Sequence, residues 1–133
     1  MFASKYYVFL PDICEENIRL DYVKCGSVFI HGRDIDDSVM IVFKSKLHTR
    51  GAQNIDDSKR CLVYWIERAF RQSNGEPLTI VFDMMNAGMS NIDMEYTRNI
   101  INVFKLYPNS LNYILVLEMP WIMNGWYFVL SFI

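Results

Sequence analysis

Two carboxylates are placed where chemistry could be done. Asp83 closes the apolar run Leu78-Thr-Ile-Val-Phe, and Glu118 closes Tyr113-Ile-Leu-Val-Leu. If both runs are strands of one parallel sheet, both acids lie at its carboxyl edge, where open α/β sheets bind ligands. A carboxylate pair there could hold a metal or transfer protons. The plainer alternative is that each acid orients a turn by accepting backbone N–H groups. An enzyme would also need a nucleophile, a metal set or a phosphate cradle. The chain has no GxxxxGKS/T, GxGxxG, HExxH or GxSxG, so neither catalytic residues nor a cofactor are expected.

His31 and His48 fall in polar segments without Cys or His at ligand spacing, so no metal site is expected. Lys44, Lys46, Arg50, Lys59 and Arg60 crowd one region. Such a cluster is ordinarily a solvated face. The alternative is a docking patch for anionic lipid headgroups, with Lys44, Lys46 and Arg50 as the headgroup or membrane contacts. Met84, Met85, Met89 and Met94 cluster after the first apolar run, as core or as the lining of an adaptable apolar pocket.

The frame that positions these residues is readable in outline. The runs at 78–82 and 113–117 are continuously apolar and bounded by turn residues, which suits strands covered on both faces. An amphipathic segment lies between them. Strand, crossover helix and strand make a βαβ unit with parallel strands. Upstream, residues 27–30 and 39–43 predict a hairpin around the polar turn 31–38. A helix is predicted to start near residues 54–58, where several side chains could cap it. Leu62, Trp65, Ile66, Ala69 and Phe70 give it one apolar stripe. Asn74-Gly75 followed by Pro77 ends it. Ser90 with Asp93 resembles a capping box for a second helix, with Tyr96, Ile100, Ile101, Val103, Phe104 and Tyr107 on its apolar face and Pro108 as its stop. Residues 6–10 predict a short strand or an arm, and 15–24 are ambiguous between helix and loop.

At 133 residues the chain is long enough for one domain. An apolar fraction of 52% and an aromatic fraction of 15% point to a lined cavity, an unfinished domain, a partner surface or simply a rich core. With 13 basic and 15 acidic residues the net charge is −2, which is not the footprint of a nucleic-acid binder. Cys14, Cys25 and Cys61 are odd in number and show no CxxC spacing, which fits a reducing, cytoplasmic setting. The start shows no signal peptide. The apolar stretch 119–133 is broken by Pro120, Asn124, Gly125 and Ser131 and falls short of the roughly 20 residues of a spanning helix.

Taken in order, Ile30-His-Gly-Arg-Asp, Leu62 to Arg68, Asn74-Gly-Glu-Pro, Pro77-Leu-Thr-Ile-Val-Phe-Asp-Met-Met-Asn-Ala-Gly, Tyr107-Pro and Glu118-Met-Pro-Trp resemble the CRAL-TRIO lipid-binding family. The resemblance covers 26–124. It implies an α/β fold with a mixed, largely parallel sheet flanked by helices, and a non-enzymatic domain holding one phospholipid or other hydrophobic ligand in an apolar pocket. It further implies peripheral association with the endoplasmic reticulum or other endomembranes. On this reading Val81, Met84, Met85, Leu115, Leu117 and Trp121 are the lipid-binding residues. Residues 1–25 are an arm or the remnant of a helical lead-in, and 125–133 a divergent apolar tail standing where the family has its gate helix. The domain is thus expected to be incomplete. An exposed apolar face, with Trp121, Trp126, Tyr127 and Phe128 at hand, would then suit docking to membrane or to a partner protein.

Overall fold

The computed structural model describes residues 18–118. The segment 6–10, Cys14, Trp121 and the apolar stretch 119–133 lie outside the described residues. Among the described residues four strands form one sheet in the order β1-β2-β3-β4: β1 Val28–Arg33, β2 Val39–Lys44, β3 Leu78–Asp83 and β4 Leu111–Leu117. The first pair is the antiparallel hairpin, and β2–β3 and β3–β4 are parallel. The fold is therefore mixed α/β with a mostly parallel sheet, as the apolar runs and their crossover spacing implied.

Among the described residues three α-helices accompany the sheet: α1 Leu20–Lys24, α2 Ile55–Ser73 and α3 Met94–Lys105. The short α1 resolves the ambiguity over 15–24 for its described part. The start of α2 is fixed by Asn54, whose side chain accepts the N–H groups of Asp56 (3.0 Å) and Asp57 (3.1 Å). Its end is fixed by Asn74 in the left-handed region (φ 56°), with the Gly75 N–H donating to the Phe70 carbonyl at 3.0 Å. Both α2 and α3 pack on the same face of the sheet. Leu62, Ile66 and Phe70 of α2 and Ile100, Val103 and Phe104 of α3 share one core with Ile41, Phe43, Ile80 and Phe82. Burying each large aliphatic or aromatic side chain contributes about 1.5–3 kcal/mol relative to leaving it in water.

Three boundaries differ from the sequence reading. The first strand continues through His31 and Gly32 to Arg33, because an irregularity with Gly32 at φ 64° lets the chain stay paired past Ile30. The turn is thus 34–38. The cap of α3 is Asp93 itself, which accepts the Tyr96 N–H at 3.0 Å, while Ser90 sits in a preceding 3-10 turn, Met89–Asn91. The helix stops at Lys105, three residues before Pro108, in a turn where the Tyr107 N–H donates to the Phe104 carbonyl.

Candidate functional site

Strand alternation divides the sheet into two chemically distinct faces. The helix-covered face carries two rows of register partners, Val28–Phe43–Phe82–Val116 and Ile30–Ile41–Ile80–Ile114. The opposite face carries Phe29–Val42–Val81–Leu115 in register across all four strands. That row is equally apolar, yet no described helix packs on it. Its centre is buried, with Val81 only 5% exposed, while Leu115 at the β4 end is 39% exposed. Towards the carboxyl ends of the parallel strands the next row is Lys44–Asp83–Leu117.

A bulge in β4 shapes the other end of this face. Ile80 pairs with Ile114 but Leu78 pairs with Leu111, so three residues of β4 oppose two of β3. The bulge delivers Asn112 to the hairpin turn, where its amide donates to Asp36 (3.2 Å) and Ser38 (3.1 Å). Tyr113, with Met40, Leu115, Arg33, Asp34 and Ile35, lines an open groove of about 570 Å³. The Asp34 carboxylate takes the Thr79 hydroxyl and the N–H groups of Asp36 and Ser38, and the Thr79 bond foremost holds it below the usual carboxylate range. The Tyr113 hydroxyl beside Asp36 is raised above the usual phenol value.

The sequence-predicted residues do not all meet. Val81, Leu115 and Leu117 share the face opposite α2 and α3, Val81 buried and the two leucines exposed. Met84 does not belong with them: it is 1% exposed in the helix-side core, accepting the Ser45 hydroxyl on its sulfur at 2.9 Å. Met84 follows the last residue of β3 and packs in the cluster formed with Phe43, Phe82 and Ile100. Met85 is exposed in the loop beyond β3. Of the basic residues, Lys44 ends β2 and Lys46 is exposed in the 3-10 turn Ser45–Leu47. Arg50 lies instead in a cleft of about 440 Å³ against α3, with His48, Asp93, Glu95 and Tyr96. The Asp83 carboxylate accepts the Met85 N–H at 3.1 Å, which is the turn-orienting alternative, and Glu118 is exposed at φ 55°.

One arrangement escaped sequence reasoning. His48 is buried, its Nε2 is 2.9 Å from Asp93 Oδ2, and its ring stacks on Tyr96 at 4.1 Å. Burial pushes the Tyr96 hydroxyl well above the usual phenol range. The Asn91 amide donates to the carbonyls of His48 (2.7 Å) and Lys46 (3.3 Å), so the loop after β2 is pinned to the loop after β3. The partners are 45 residues apart in sequence, and only the parallel pairing of β2 with β3 brings them together. Among the described residues no group of three His, Cys, Asp or Glu side chains could hold a metal ion, and no helix is long and apolar enough to cross a membrane.

A mixed sheet with an apolar face on which no described helix packs is thus joined to the phrase order noted above, and residues 23–133 match the sequence model of the CRAL/TRIO domain. The chain belongs to the CRAL-TRIO family. CRAL-TRIO domains bind or transfer lipids and are generally not enzymes. This CRAL-TRIO chain is also 29% identical over 106 residues to the CRAL-TRIO domain-containing protein C3H8.02 of Schizosaccharomyces pombe. That similarity covers 77% of this chain and 24% of the yeast protein, so the chain spans about a quarter of that relative's length.

Proposed function

We propose that this CRAL-TRIO domain holds a phospholipid or another hydrophobic molecule by laying its hydrocarbon against the sheet face opposite α2 and α3. The observation that carries the reading is the apolar row Phe29–Val42–Val81–Leu115, flanked by the exposed Tyr113 and Leu117. Each methylene fully withdrawn from water there contributes about 0.8 kcal/mol. Leu115 and Leu117 make the contact, with Val81 buried in the same face beside them, and Met85 and Trp121 are further apolar candidates. Lys44 and Lys46, at the carboxyl edge of the sheet, offer cations to a phosphate headgroup or an anionic membrane surface, and Arg50 adds a third near that edge. The activity is non-covalent, and the setting is the cytoplasmic side of the endoplasmic reticulum or other endomembranes, peripherally. Within the family, Ile30-His-Gly-Arg-Asp and Met119-Pro-Trp-Ile-Met-Asn resemble the domain of motile sperm domain-containing protein 2.

Solvent extraction of the purified chain followed by mass spectrometry, with uptake of a fluorescent acyl analogue, tests the proposal. Lipid is recovered and the analogue is taken up, and Leu115→Asp, at an exposed position, weakens uptake by about tenfold or more. Recovery of no lipid together with no uptake would remove the reading.

A further inference from the structure

The tip of the β1–β2 hairpin presents an apolar side chain to solvent on a rigid mount. Ile35 is 97% exposed. Its turn is nevertheless held from several sides. Asp34 Oδ1 accepts the N–H groups of Asp36 and Ser38, each at 2.9 Å, and the Asp37 N–H donates to the Asp34 carbonyl at 3.0 Å. The Asn112 amide reaches in from β4, and the Arg33 guanidinium donates to the Gln72 carbonyl of α2 at 3.2 Å. A turn backbone held in this way loses little further freedom when a partner covers its tip. Beside Ile35 the groove is floored by Met40, Tyr113 and Leu115. Its rim is acidic: Asp36 is exposed and the Asp37 side chain is 86% exposed. The rim cation, Arg33, lies 3.9 Å from the Asp37 carboxylate and donates to the carbonyls of Asp37 and Gln72; against Asp34, Asp36 and Asp37 it leaves the rim net acidic.

We infer that this tip and groove dock a cationic amphipathic segment of a partner protein. Its apolar side chains cover Ile35, Met40, Tyr113 and Leu115, and its Lys or Arg side chains face Asp36 and Asp37. The charge on the rim selects the occupant, because an anionic lipid leaflet would meet those carboxylates with like charge. The groove lies at the amino ends of the parallel strands, away from Lys44, and its floor of Met40, Tyr113 and Leu115 continues the sheet face proposed above to take hydrocarbon.

The test titrates the intact, isotope-labelled chain with a Leu/Lys amphipathic peptide of about five helical turns, and with its Leu/Glu counterpart, by NMR. The Leu/Lys peptide shifts resonances of residues 33–40 and 113–115, and added salt weakens its binding. Ile35→Ser, at a fully solvated position, and the pair Asp36→Asn with Asp37→Asn each weaken it about tenfold, with the dispersion of the remaining spectrum unchanged. Asn is suited to position 37, whose φ is 65°. Equal binding of the Leu/Glu peptide, shifts confined elsewhere, or unchanged affinity in both variants would overturn the inference. So would phosphatidylserine vesicles that move the same resonances as strongly as the peptide, which would make the surface a membrane contact.

Discussion

The Cys61 thiol is buried in α2 and its pKa is pushed up to about 11 by desolvation, so it stays protonated at neutral pH. Cys25 is exposed at the end of α1. In a maleimide time course followed by peptide mass spectrometry, Cys25 is therefore labelled about tenfold or more ahead of Cys61, and comparable rates would contradict this assignment of burial. Asp34 is the second titratable residue with a consequence. Its folded pKa is depressed, first by the Thr79 hydroxyl, so the unfolded chain binds the proton more readily. The stabilisation is present above the ordinary value of about 3.9 and is lost as pH falls from there through the lower folded value. Chemical denaturation from pH 5 downward reads this as a slope that Asp34→Asn flattens. An unchanged slope in the variant would show that other carboxylates carry the acid sensitivity.

At the scale of elements, Asp93 does two jobs with two oxygens: Oδ1 caps α3 and Oδ2 bonds His48. Asp93→Asn keeps a capping oxygen, whereas Asp93→Ala loses the cap, at a cost of about 1 kcal/mol, and the His48 partner as well. Urea midpoints therefore rank wild type above Asp93→Asn and Asp93→Asn above Asp93→Ala, and equal midpoints for the two variants would deny the cap its role. The elements differ in how far sequence disclosed them. The strands β2 and β3, the stripe of α2 and its stop at Asn74-Gly75 rest on local signals, and they stand where those signals put them. The α3 cap was misplaced because Ser90 and Asp93 are both competent caps, and the choice depends on His48, which arrives from another loop. The β4 bulge has no local signature, so the delivery of Asn112 to the hairpin turn was illegible. Met84 was grouped with Val81 as an apolar neighbour, and its place in the helix-side cluster was not legible because it lies just past the end of β3.

Across the whole molecule, one sheet separates two apolar surfaces with different fates. The helix-side surface is the folding core, and Ile66 is fully buried at its centre. Ile66→Ala is expected to cost about 2–5 kcal/mol in a thermal or urea melt, and a loss below about 1 kcal/mol would mean that the core is not closed there. The family and the mostly parallel sheet were legible because the phrase order and the crossover spacing are properties of the chain. Which face α2 and α3 cover was not, because both faces are written in the same apolar residues. The account rests on that second face receiving hydrocarbon, and a fatty acid bearing a photoreactive diazirine at its methyl end tests this most directly. After irradiation and peptide mapping, the label is expected on Met40, Val81, Tyr113, Leu115 or Leu117. Labelling of Ile80, Ile114 or Val116 on the helix side, or of no residue in the sheet, would contradict it.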